Sequence, residues 1–248
     1  MSVFKPKIVR FESLPSTNTE LARMASEGAA EGLAIVVDEQ TAGRGRLQRA
    51  WSSPKGAGLY FSILLRPKIP PSHWPLITFM AALAVGDALS EAAGVHTDIK
   101  WPNDLLSGER KICGILAEAI ETPAGRAVVL GIGVNLTPKA FPEELKSVAT
   151  SVSDVTGRQP ERETILAALI RALSRWYALL NEPDGLEKII AAWSSRSTYA
   201  MGRLVQISNG DEVWQGTTCG VEPDGALRLN TVSGEMKLVR AGDVYSLR

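Results

Sequence analysis

Apolar positions along this 248-residue chain follow two different periods, and the change from one to the other divides it. Residues 16–28 predict a first helix, capped by Thr17, with Glu20 completing a capping box ahead of Leu21 and Met24 and Gly28 ending it. After a proline-bounded turn, Leu76, Phe79, Met80 and Leu83 share one helix face. From Pro160 onward Ile165, Leu166, Leu169, Leu173, Trp176 and Leu180 repeat at helical spacing, which predicts about five to six turns. A further helix is expected over 185–194. Between these lie runs of strand length at Leu33–Val37 and Leu59–Leu65, and at 96–100, 104–106, 111–120 and 126–134. The piece from Arg126 to Val134 is almost continuously apolar, as in a strand covered on both faces.

Beyond Gly202 the pattern shortens to alternating runs separated by Asn209-Gly210, Pro223-Asp224-Gly225, Ser233-Gly234 and Gly242-Asp243. That is the turn spacing of a small all-β barrel. The expected architecture is α+β: a mixed sheet packed with helices over residues 1–199, then a small barrel over 200–248. No internal repeat or low-complexity tract interrupts it. Residues 41–58, TAGRGRLQRAWSSPKGAG, have no periodicity and read as a long exposed loop; loops of this length inside compact domains are usually functional or disordered.

Charge changes the picture mainly by exclusion. Lysine plus arginine equals aspartate plus glutamate at 27 each, so nothing in the overall balance favours nucleic acid, membrane or polyacidic partners. Any charge-based function must be local. Cys113 and Cys219 form no C-x-x-C pair, against a disulfide scaffold or a cysteine-rich zinc site and in keeping with a reducing cytoplasm. The start, MSVFKPKIVRFESLPS, lacks the marks of a secretory signal. The most apolar stretch, Leu76 to Leu89, is broken by Gly86 and Asp87, short of the roughly 18 residues a membrane span needs. The Asn135-Leu-Thr137 glycosylation triplet then has no consequence.

The commonest nucleotide signatures are missing. There is no G-x-x-x-x-G-K-[ST] loop, and Gly43-Arg-Gly45 and Gly131-Ile-Gly133 both lack the third glycine of a dinucleotide fingerprint. His73 and His96, the only histidines, leave little material for acid–base or metal chemistry. What remains is four clusters. Gly43-Arg44-Gly45-Arg46 alternates planar cations with uncovered backbone, which suits an anion cradle as well as a solvated basic loop. Lys100-Trp101-Pro102-Asn103-Asp104 could meet phosphates, a nucleotide edge and a magnesium ion, or simply form a hairpin turn. Lys111-Ile-Cys-Gly114-Ile-Leu-Ala-Glu118 places a lysine at the mouth of an apolar strand, where a snorkelling edge residue is the plainer alternative. Gly131-Ile-Gly133-Val-Asn135 ends a buried strand with glycines and an amide, as a tight backbone crossing also would. Together they offer fixed cations and donors without a convincing nucleophile, histidine base or multi-ligand metal site. That inventory suits adenylation, in which the reactants bring their own nucleophiles and the protein aligns them and neutralises charge.

Taken in order, Ser16-Thr17-Asn18, Asp38-Glu-Gln40-Thr-Ala-Gly43-Arg44-Gly45-Arg46, Lys100 to Asp104, Lys111-Ile-Cys-Gly114 and Gly131-Ile-Gly-Val-Asn135 resemble the motifs of the biotin protein ligases. The likeness spans essentially the whole chain. It implies a class II synthetase-like ligase fold followed by an SH3-like β-barrel, with ATP and Mg2+ as cofactors, biotin as substrate and a biotin carboxyl carrier protein domain as partner. It also implies roles. Ser16, Thr17, Asn18 and Gln40 would bond the ureido end of biotin, in a pocket shared with Gly43, Gly45, Gly114 and Gly131. Arg44 and Arg46 would lie in a loop that closes over the adenylate. Lys111, with Arg46, would stabilise the transition state beside the biotin carboxylate and α-phosphate. Lys100, Trp101, Asn103 and Asp104 would face the nucleotide, Asp104 as the metal ligand, and Asn135 would meet the adenine.

Two departures accompany the likeness. Many relatives continue after Arg46 with further arginine and glycine, whereas Leu47-Gln48-Arg49-Ala50 precedes Trp51 here, which bears on loop closure and retention of the intermediate. Some relatives carry an N-terminal helix-turn-helix and repress biotin synthesis; this chain enters the catalytic motifs almost at once, so DNA binding is not expected. A homodimer through a sheet edge follows by family analogy alone. The alternatives are a lipoate or octanoate ligase or transferase, which needs no Ser-Thr-Asn trio for a ureido ring, and a non-catalytic biotin-binding module.

Overall fold

In the computed structural model, residues 6–247 are described; residues 1–5, the start of the segment expected to lack a leader, lie outside them. The first part of the chain runs β1 (Lys7–Leu14), α1 (Thr17–Ser26), β2 (Leu33–Gln40), β3 (Gly58–Leu65), α2 (Leu76–Ala93), β4 (Asp98–Lys100), β5 (Asp104–Ser107), β6 (Arg110–Ile120) and β7 (Ala127–Asn135). Three helices follow: α3 (Val152–Thr156), α4 (Arg162–Leu180) and α5 (Gly185–Ser195). The last segment is β8 (Met201–Asn209), β9 (Glu212–Val221), β10 (Leu227–Thr231), β11 (Met236–Val239) and β12 (Asp243–Ser246).

Seven strands form one mixed sheet in the order β1-β2-β3-β7-β6-β5-β4, with β1 parallel to β2 and the remaining pairs antiparallel. Helices α2 and α4 cover one face, with α5 packed on them, and α1 covers the other. Strand β1 was not expected, because adjacent apolar Ile8-Val9 and polar Glu12-Ser13 break its alternation and its residues stay partly exposed at the sheet edge. Helix α1 is capped by Ser16, whose extended backbone suits a cap and whose hydroxyl accepts from the Thr19 amide. The expected Thr17–Glu20 capping box does not form: Thr17 turns to Gln40, and Glu20 accepts from Arg23.

Helix α2 runs straight through Gly86 and Asp87 for 18 residues at a mean hydropathy of 1.5, long and apolar enough by composition to cross a membrane. This corrects the expectation that the stretch falls short. Its packing is that of a core helix: Leu76, Phe79, Met80, Leu83 and Leu89 are buried in the principal core. Phe79 stacks on Trp193 of α5 with ring centroids 4.3 Å apart. Asp87 is spent on Trp176 Nε1 (2.7 Å), Arg175 (2.5 Å) and Arg196 (2.5 Å), which join α2 to the C-terminal helices.

The C-terminal strands make a separate antiparallel sheet in the order β11-β10-β9-β8-β12, in keeping with the short strands expected from the turn spacing. Its inward Val205, Ile207, Leu227, Leu229 and Val244 join the principal core. Gly225 sits against Pro75, Leu76 and Phe79, and its φ of +84° is a left-handed turn conformation that favours glycine. Its carbonyl accepts from Trp101 Nε1 at 3.0 Å.

Candidate active site

The site lies where the core beneath α1 gives out. Along β7, Val128, Leu130, Ile132 and Val134 face the principal core, while Ala127 and Val129 pack under α1 with Leu21, Ile35 and Leu64. Strand alternation then puts Gly131, Gly133 and Asn135 on the α1 side, where side-chain bulk disappears and a cavity of about 260 Å³ opens. The glycines are required by what lies over them. A Cβ on Gly131 would stand 2.2 Å from Asn18 Oδ1, one on Gly133 2.5 Å from Trp51 Nε1, and one on Gly114 2.9 Å from the Trp51 ring.

At one end stand Ser16, Thr17 and Asn18, all buried at the start of α1. The Thr17 amide and hydroxyl both donate to Gln40 Oε1, at 2.9 and 3.1 Å, and Gln40 Nε2 donates to Ser53 Oγ at 2.8 Å. Ser62 Oγ is 2.7 Å from Thr17 Oγ1 and 2.6 Å from Asn18 Oδ1. This is a rigid array of neutral donors and acceptors, suited to a small uncharged polar ring.

The other end is cationic. Lys111 Nζ lies 2.7 Å from Asp104 Oδ1 and 5.2 Å from the Trp51 ring centroid. Arg46 is held by neutral acceptors, Asn103 Oδ1 at 3.0 Å and the Gly242 carbonyl at 3.4 Å. Burial holds its guanidinium below the ordinary arginine value, while Asp243 and Asp104 pull the other way; it stays charged regardless. Arg49 forms an ion pair with Asp243 at the start of β12. Four cations, Arg44, Arg46, Arg49 and Lys111, thus border a cavity whose lining carries two carboxylates, Asp104 and Asp243, with a third, Glu118, paired to Arg44 behind the wall. The excess of positive charge is suited to an anionic ligand. Among the described residues no three His, Cys, Asp or Glu side chains converge as a metal cage.

The loop over this end, Arg46 to Arg49, turns with Leu47 at φ 54° and Gln48 at φ 63°. These are left-handed conformations that glycine adopts at less cost. Leu47 is exposed.

Of the residues singled out in the sequence, Ser16, Thr17, Asn18, Gln40, Arg44, Gly45, Arg46, Asn103, Asp104, Lys111, Gly114, Gly131 and Asn135 line this one cavity. Three do not. Trp101 is 1% exposed and bonded to Gly225, so it packs the core rather than facing a nucleotide. Lys100 points toward the rings of Tyr199 and Tyr245, 5.9 and 5.8 Å away, and burial lowers its pKa although Asp104 opposes the change. Gly43 lies behind the wall: a Cβ there would strike the Trp51 carbonyl at 2.2 Å, and its own carbonyl accepts from the Trp51 amide at 2.9 Å.

The biotin/lipoate A/B protein ligase family profile matches residues 10–135. The Bacillus subtilis protein named bifunctional ligase/repressor BirA is 37% identical over 241 residues, covering 94% of this chain and 72% of that one. The chain belongs to the biotin/lipoate A/B protein ligase family. The biotin–[acetyl-CoA-carboxylase] ligase of Mycobacterium tuberculosis is 34% identical to this ligase, covering 94% of this chain and 86% of that one. A solved biotin protein ligase from Aquifex aeolicus, in complex with biotin and ATP, matches its fold at a TM-score of 0.84 and 30% identity, covering 98% of this chain and 99% of that one.

Several side chains of the ligase site were not singled out in the sequence. Trp51 roofs the glycines, Ser62 holds Thr17 and Asn18, and Asp243 reaches the loop from the C-terminal sheet. The tryptophan after a glycine-arginine loop could have been found as a candidate lid. Ser62 and Asp243 carry no local signal, since their partners are distant in the chain.

Proposed function

We propose that this ligase activates biotin with ATP to biotinyl-5′-AMP and transfers the biotinyl group to a lysine of a carboxyl carrier protein. The observation that carries this is a single glycine-floored cavity with a neutral hydrogen-bonding array at one end and an excess of cations at the other. The array of Ser16, Thr17, Asn18 and Gln40 fits a ureido ring, and Lys111 and Arg46 stand where the carboxylate and α-phosphate would meet. A biotin carboxylate oxygen attacks the α-phosphorus and the bond to the β-phosphate oxygen breaks, releasing pyrophosphate. The amine of the acceptor lysine then attacks the biotinyl carbonyl carbon, the bond to AMP breaks, and a proton is lost from nitrogen. The chain's residues supply alignment and charge neutralisation rather than a nucleophile.

Asn135 would meet the adenine, although its Nδ2 already donates to the Thr150 carbonyl at 3.0 Å, which leaves its oxygen for a base. Residues 1–199 would carry the chemistry, and the 200–248 part would brace the loop through Gly242 and Asp243. Magnesium fits a site of this kind: one carboxylate, Asp104, beside nucleotide phosphates is the usual donor set, because the ion keeps most of its waters and binds through one or two carboxylates. When bound with ATP it would draw charge from the departing pyrophosphate. Lys100 would come into play only by turning from its tyrosines.

Incubation with ATP and labelled pyrophosphate tests the reading. Exchange that depends on biotin is the expected result; exchange that depends on lipoate supports the rival ligase, and none supports a binding module. A carrier domain should gain one biotinyl group in intact-mass analysis.

A further inference from the structure

Glu118 of β6 is the one charged member of the Lys111-to-Glu118 strand cluster that the reaction above leaves without a task. Its carboxylate is shared. One oxygen accepts from Arg44 Nη2 at 2.7 Å, and the other accepts from Asn18 Nδ2 at 2.8 Å and lies 3.4 Å from Arg44 Nη1. Its side chain is 26% exposed, against 46% for Arg44. The acid is therefore the more sheltered partner, standing on a sheet strand while the arginine belongs to the loop.

The two bonds reach two neighbouring parts of the site's machinery, the start of α1 and the loop; Arg44 Nη1 also lies 3.5 Å from Thr19 Oγ1 of α1. Asn18 is fixed as an amide by its surroundings: Oδ1 faces the Ser62 hydroxyl and Nδ2 faces Glu118, with the Leu116 carbonyl 3.3 Å away. Arg44 opens the loop that carries Arg46 and Arg49, and the residue pairs with Ala50 in a bridge that sets the width of the loop's neck. A bidentate carboxylate–guanidinium pair fixes orientation as well as distance. A rigid strand thus holds the biotin-side amide and the loop's neck in one register.

We infer that Glu118 is a positioning residue that couples the orientation of Asn18 to closure of the Arg44–Arg49 loop, so that a seated biotin and a closed loop favour each other. This rests on the proposed assignment of Asn18 to biotin and of the loop to the adenylate. Coupling of this kind is reciprocal in binding free energy: a seated biotin favours the closed loop by the same factor as the closed loop favours biotin, while the rate at which adenylate escapes is not bound to that factor.

The two bonds can be separated by substitution. Glu118→Gln keeps a carbonyl acceptor for Asn18 Nδ2 but loses the ion pair with Arg44, whereas Glu118→Ala loses both. For Glu118→Gln the expected result is a biotin KM within about threefold of wild type, with the adenylate escaping into solution about tenfold faster. Glu118→Ala should release the adenylate as fast and also raise the biotin KM about tenfold. In both variants the KM for ATP and the thermal midpoint should stay near wild type, which a general loss of structure would not allow. The Arg44→Gln, Glu118→Gln double variant should leak no faster than the Arg44→Gln single one. Wild-type leakage in both Glu118 variants, or additive leakage in the double variant, overturns the coupling. If instead the wild-type protein itself shows no biotin-dependent exchange, it is the ligase reading that fails.

Discussion

Lys111 Nζ is paired with an Asp104 carboxylate oxygen at 2.7 Å while lying over the ring of Trp51. On the proposed reading, the pair would keep the ammonium at the cationic end before a phosphate arrives, so that little reorganisation would be needed as negative charge develops there. Lys111→Ala should lower the adenylation rate by about a hundredfold or more, on the scale of removing one preorganised donor. Its circular dichroism should match wild type. Wild-type pyrophosphate exchange in that variant would remove Lys111 from the mechanism.

Gly131→Ala tests the fit of the polar end. A methyl there would stand 2.2 Å from Asn18 Oδ1, a distance no side chain tolerates, so Asn18 must swing away from Ser62 and Glu118. The expected outcome is a biotin KM raised about tenfold or more, through loss of at least one buried hydrogen bond, with the ATP KM unchanged. Equal loss for both substrates would mean that the sheet, and not the amide, had moved.

How much of this was legible in the sequence depended on distance along the chain. The 3.6-residue period of Ile165 to Leu180 is a local pattern, and α4 forms over Arg162–Leu180. The glycines of β7 could be recognised as a place of close approach, but not that Trp51 and Asn18 approach them. Strand β1 escaped because an edge strand needs no clean alternation. Lys100 and Trp101 sit four residues or fewer from Asn103 and Asp104, and a linear motif lends them the same function. The short β4–β5 turn sends them elsewhere, Trp101 into the core and Lys100 to a pair of tyrosines. Arg49 and Asp243 are 194 positions apart, and no local spacing announces their pairing.

Trp101→Phe should accordingly act on stability. The change removes the indole N–H that satisfies the Gly225 carbonyl at 3.0 Å and leaves a void at a 1%-exposed position. A cost of about 1–3 kcal/mol is expected from the unpaired carbonyl, or a midpoint lower by roughly 2–4 °C per kcal/mol for a chain of this size. The ATP KM should stay within about twofold. A large ATP defect with an unchanged midpoint would return Trp101 to the nucleotide.

Asp87 sets a pH dependence for the helical layer. Burial alone would raise its pKa, but the bonds from Trp176, Arg196 and Arg175 and the charge of Arg196 outweigh it, and the folded value lies below the ordinary one. A carboxylate whose folded pKa is depressed adds stability that is fully present above its unfolded value, about 3.9, and is lost as pH falls through the folded value. Asp87→Asn should therefore lower the midpoint at neutral pH by the worth of charge-assisted bonds, about 1–3 kcal/mol. The gap between variant and wild type should hold from pH 7 to 5 and close below about pH 4. Thermal melts across that range decide it: a gap as wide near pH 3 as at pH 7 would show that the aspartate holds α2 to α4 and the segment after α5 by shape and not by charge.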